Sequence, residues 1–131
     1  MGQQQLMLTV MGVLLVMLLV LGGIQMFTSS AEQNNVDQTA LEVLRIIDSA
    51  REHYARPKAM GGGGRSFTGF RISSALDTTE NAYHTSVVTT AQYIILLSTC
   101  RVAEDAVVIA YVYPTTHNLY IDRQYRKLIG C

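Results

Sequence analysis

The first 31 residues contain no Asp, Glu, Lys, Arg or His; the ten basic and ten acidic residues all fall between Glu32 and Lys127. A stretch that long without charge has no solvated face and needs lipid or protein around it. The charges beyond it cancel to a net of zero, so no overall field argues for nucleic acid, an anionic membrane surface or a polyanionic substrate as partner. Cysteine is scarce too. Only Cys100 and Cys131 occur, without a C-x-x-C spacing, which excludes a cysteine-built metal framework. In an exported chain an even count reads as one disulfide. Closing a loop of about thirty residues would contribute roughly 3 to 4 kcal/mol in the chain-entropy model. Two free thiols in a reducing compartment are the alternative.

Recognisable catalytic chemistry is also missing. His53, His84 and His117 fall on a helix, a strand and a loop, with no carboxylate or cysteine at metal-ligand spacing beside them. No nucleophile elbow, paired-carboxylate signature or Cys-His arrangement is legible. The sequence therefore offers no catalytic residue, no metal site and no cofactor. The four-glycine run at 61–64 is followed by Arg65-Ser66. A phosphate loop needs a strand before it and a Lys-Ser/Thr opening a helix after it. Here a helix precedes the run, so it reads as a turning connection from helix to sheet.

What is present begins with residues 6–27, LMLTVMGVLLVMLLVLGGIQMF, in which only Thr9 and Gln25 are polar. Roughly 20 such residues cross a bilayer core. A cleaved secretory signal would have a basic start and a shorter apolar core; small residues at Ser29-Ser30-Ala31 leave cleavage there as an alternative. An ordinary anchor is flanked by Lys or Arg, and none precedes Arg45. Gly12, Gly22 and Gly23 each cost the helix roughly 1 kcal/mol while allowing close backbone approach in an apolar medium. These features favour a helix that leaves lipid to pack against copies of itself.

From residue 36 the pattern becomes amphipathic. Val36, Ala40, Val43, Ile47, Ala50 and Tyr54 recur at steps of four and three, widened by Leu44. Asp48 with Arg51 and Glu52 with Arg56 sit at helical pair spacing on the other side. Arg56-Pro57 stops the helix near Ala55. With no strong breaker between the halves, one helix from about Gln4 to Ala55 is expected, roughly 75 Å long at 1.5 Å per residue. Two helices hinged at 28–35 are the alternative.

Beyond the glycines, β-rich segments at 67–72, 83–89, 93–100 and 107–113, with a weaker one at 119–123, read as a small antiparallel sheet. The run Tyr93-Ile94-Ile95-Leu96-Leu97 suggests a central strand buried on both faces, or on one face with a neighbour covering the other. Seven tyrosines, five of them from Tyr93 onward, could form a stacking surface, although tyrosine is also an ordinary strand residue. The expected fold is α+β: a long N-terminal helix with its hydrophobic half protruding and its C-terminal half packed on a sheet of about four strands. Residues 1–31 form the hydrophobic half, 32–56 the amphipathic half, and 57–131 the head.

This arrangement resembles the type IV pilin superfamily, whose subunits join a long hydrophobic N-terminal helix to an antiparallel sheet and often close a C-terminal loop with a disulfide. The resemblance covers the architecture of the whole chain. It implies a structural subunit of an extracellular filament, held in the inner membrane before assembly and handled by a pilus assembly machinery. Its partner would be itself, through Leu6, Val10, Gly12, Leu14, Leu18, Leu21, Gly22 and Gly23 in a central bundle. Family precursors carry a basic leader ending in glycine, then a mature chain with glutamate at its fifth position. Here, processing after Gly2 would put Met7 at that position, and a chain starting at Met1 would put Gln5 there. Gln3, Gln4 and Gln5 would then supply polar contacts without a buried charge. The competing readings are a pseudopilin of a secretion or DNA-uptake system and a single-pass protein whose head binds a partner.

Overall fold

In the computed structural model, which describes residues 2–103 and 106–122, helix α1 runs without interruption over Gly2–Ala55. After it come a 3-10 turn at Lys58–Met60 and a one-turn helix α2 at Ser74–Asp77. Four strands follow: β1 Ala82–Thr89, β2 Ile94–Cys100, β3 Val107–Val112 and β4 His117–Asp122. They form one antiparallel meander in the order β1-β2-β3-β4. The chain divides into two compact units, residues 1–32 and 33–131.

Helix α1 ends where proline forces it to. Its last carbonyls lack partners within the helix, and the glycine run wraps back to supply them. The Gly63, Arg65 and Gly64 N–H groups donate to the carbonyls of His53, Tyr54 and Arg56 at 2.7, 2.8 and 3.0 Å. Only glycine allows this approach, because a Cβ at Gly62 would collide with the Arg56 carbonyl and one at Gly63 with that of Ser66. Glu52 and Arg56 form the expected i,i+4 ion pair.

The core of the second unit lies between α1 and one face of the sheet. All seven buried residues of α1 fall in its C-terminal half: Asn35, Val36, Thr39, Val43, Ile46, Ile47 and Ala50. They face Ile94, Leu96, Val108, Ala110 and Val112, with Phe67 and Phe70 closing one end. Of the helix positions assigned to head packing, Val36, Val43 and Ile47 are buried, and Ala40, Leu44 and Tyr54 are half-buried. Tyr54 stacks on Phe67 at 4.7 Å between ring centroids. Burying side chains of this size stabilises by about 1.5 to 3 kcal/mol each.

One expected strand is not there. Residues 67–72 are irregular, because Gly69 adopts a φ of 84° and Phe70 N–H bonds back to the Phe67 carbonyl at 3.0 Å. The two phenylalanines therefore point into the core from a turn, where a strand would have sent residues three apart to opposite faces. The weaker segment, in contrast, is β4. The strands expected at 83–89, 93–100 and 107–113 are present with boundaries shifted by a residue.

Candidate functional site

Residues 2–30 of α1 are exposed without exception. Leu6, Leu15 and Phe27 retain 67%, 59% and 78% of their accessible surface, a large contiguous apolar area of the kind that marks a site of contact. The segment reaches a mean hydropathy of 2.7 over 18 residues, and α1 is the one helix among the described residues long and apolar enough to cross a membrane. Val10, Leu14, Leu18 and Leu21 all lie on this surface, as do Gln3, Gln4 and Gln5 at its start, while Gly2 opens the helix. The helix satisfies its own backbone. The two threonines within residues 2–30 follow suit: the Thr9 hydroxyl donates to the Leu6 carbonyl at 2.9 Å and that of Thr28 to the Ile24 carbonyl at 3.0 Å. Such back-bonding lowers the penalty for placing a hydroxyl in an apolar medium. A Cβ at Gly12, Gly22 or Gly23 would meet no atom of the described residues. None of those residues therefore requires glycine at these three positions.

The second unit brings together a set of polar groups that lie far apart in sequence. Glu42 projects from α1 toward the start of β1. It accepts hydrogen bonds from Thr79 Oγ1 at 2.7 Å, Asn81 Nδ2 at 2.8 Å and His84 Nε2 at 3.0 Å. On the other side of the imidazole, His84 Nδ1 lies 2.7 Å from Ser98 Oγ. His84 and Ser98 are direct partners in the β1–β2 ladder. An ionised carboxylate can only accept, so Nε2 carries a proton, and in the neutral imidazole Nδ1 accepts from the serine. Burial pushes the Glu42 carboxyl up, but the hydrogen bonds from Asn81, Thr79 and His84 outweigh it and hold the group below its ordinary value.

Carboxylate, imidazole and hydroxyl thus stand in the order of a serine-hydrolase relay. Catalysis needs the hydroxyl oxygen within reach of a substrate. Ser98 is fully buried, on the sheet face covered by α1. The arrangement as it stands ties helix to sheet. The Asn35 side chain does the same nearby, donating to the Asn81 carbonyl at 3.1 Å and accepting from Val102 N–H at 3.2 Å.

No carboxylate stands at metal-ligand spacing beside a histidine in the sequence, and the structure brings Glu42 against His84 from 42 positions away. The signal was present but indirect: Glu42 sits directly before the apolar position Val43, at the edge of the helix face turned to the sheet. The other two histidines take separate places. His53 Nε2 lies 3.4 Å from the Thr68 carbonyl, and His117 Nδ1 accepts from Arg51 at 3.1 Å. Among the described residues, no group of three or more His, Cys, Asp or Glu side chains could hold a metal ion. Cys100 is buried at the end of β2 as a free thiol among the described residues. Burial pushes that thiol up, a Thr39 hydrogen bond lowers it, and the Glu42 charge raises it further. Cys131, and with it the expected disulfide, lies outside the described residues. No protein-family model, no curated protein and no solved structure matches the chain.

Proposed function

We propose that this chain is the structural subunit of an extracellular filament of the type IV pilus kind, assembled by packing residues 6–27 of many copies into a central bundle. The observation that carries the reading is the charge-free helix half, exposed along residues 2–30 among the described residues and long and apolar enough to cross a membrane. The glycines add weight. Gly12, Gly22 and Gly23 weaken the helix by roughly 1 kcal/mol each, and no contact among the described residues depends on them. Closely packed neighbouring helices would recover that loss. The unassembled subunit would reside in the inner membrane, and the proposal gives it no catalytic role.

A single-pass membrane protein with a partner-binding head is the second reading. The back-bonded Thr9 and Thr28 support it, since hydroxyls satisfied within the helix need no partner from a neighbouring chain. Imaging material sheared from cell surfaces, with the chain identified by mass spectrometry, separates the two. A filament subunit is found along regular filaments. A lone anchor stays in the membrane fraction and is monomeric in mild detergent, a result that would remove the filament reading.

A further inference from the structure

The sheet face turned away from α1 is not the polar surface that an antiparallel sheet usually shows to water. Ile109 and Tyr111 on β3 and Asn118 and Tyr120 on β4, with Tyr113 just beyond β3, line a shallow depression of about 390 Å³, near the small end of ligand clefts at roughly 300 to 1,000 Å³. Tyr113 and Tyr120 keep 39% and 55% of their surface exposed. The ladder pairs Tyr111 with Asn118 and Ile109 with Tyr120, so the groups are held by backbone hydrogen bonds. The Tyr111 and Tyr120 rings meet nearly at right angles, at 84° and 5.8 Å between centroids. One ring forms a floor and the other a wall.

The geometry points to a binding site for neutral carbohydrate in this depression. No charged side chain is among its described lining residues, so none of those side chains would compensate an ionic ligand. The three phenol hydroxyls and the Asn118 amide make no hydrogen bond among the described residues, leaving donors and acceptors free around apolar ring faces. A sugar ring has the matching chemistry: a flat patch of C–H groups that stacks on an aromatic face, edged by hydroxyls that both donate and accept. A proline-rich peptide would also use the rings, but its few polar groups would leave most of these hydroxyls and the amide unpaired. Sugar binding in this depression does not depend on filament formation.

The test is binding of the full chain, in a polyoxyethylene detergent without a sugar headgroup, to surfaces bearing cellotetraose, chitotetraose or lactose, with sialyllactose as the charged control. At least one neutral surface should bind. Tyr120→Ala should weaken that binding about tenfold, whereas Val102→Ala, an exposed change outside the depression, should leave it unchanged. Tyr113→Ala, at a position outside the strands, should give a similar loss, and thermal melts establish that each variant is folded. Four results would overturn the inference: no binding to any neutral sugar, binding to the sialylated surface alone, unaltered binding by both folded tyrosine variants, or a proline-rich decapeptide binding where the sugars do not.

Discussion

The two halves of α1 are built from much the same aliphatic side chains, yet none of residues 2–30 is buried and seven residues between Asn35 and Ala50 are. What differs is the spacing of polar residues among the apolar ones. In the second half, Glu42, Arg45, Asp48 and Glu52 interrupt the aliphatics so that a single stripe remains, and a stripe can be covered by one sheet face. In the first half leucine, valine and methionine occupy every side, and a helix apolar all round needs surroundings on all sides. The same backbone geometry thus serves an intramolecular core in one half and, on our proposal, an intermolecular one in the other.

Exchanging equivalent side chains across the two halves should break that symmetry. The largest effect on the stability of the second unit is expected from Ile47→Ala. It should cost about 3 kcal/mol, because a fully buried aliphatic leaves a cavity. A thermal melt of the full chain in detergent checks this. Glu42→Ala should cost about 2 to 3 kcal/mol in the same assay, since it leaves the buried His84 and the half-buried Thr79 and Asn81 donors without their shared acceptor.

Acid should produce a smaller and graded loss. The folded-state value of Glu42 lies below its ordinary 4.5, so its contribution is complete above that value and disappears as pH falls through the lower, folded one. Melting temperature followed from pH 6 downward should fall in that window, and Glu42→Gln should flatten the slope. An equal slope in the variant would assign the acid sensitivity to other groups. The smallest effect belongs to Leu15→Ala, which should change the melt by less than about 0.5 kcal/mol, because Leu15 touches no core. A loss as large as that of Ile47→Ala would mean that the first half also stabilises the head.

Much of this fold was legible in the sequence because its signals are local. The proline at 57 stops the helix, the four-three spacing from Val36 to Tyr54 sets its buried face, and β-branched runs mark β1, β2 and β3. Segment 67–72 misled because Phe67, Phe70 and Ile72 have strand-like composition, while one left-handed glycine, Gly69, decides the backbone. β4 gave a weak signal as an exposed edge strand with few apolar positions. The glycine run was readable as a connection, but its service as donor to the last carbonyls of α1 depends on backbone positions that composition does not encode. The Glu42–His84–Ser98 chain was invisible for a different reason. It joins residues 42 and 14 positions apart, and only the β1–β2 register and the packing of α1 bring them together.

If residues 6–27 join copies of this chain into a filament, as we propose, Leu15→Arg should abolish assembly, since it would place an unpaired charge in the bundle. Cells producing wild-type or variant chain are sheared, and the chain is quantified in the filament fraction alongside a melt of the second unit. The filament fraction should fall to background while the melt is unchanged. Filaments at wild-type yield from a chain carrying Arg at position 15 would contradict the proposal.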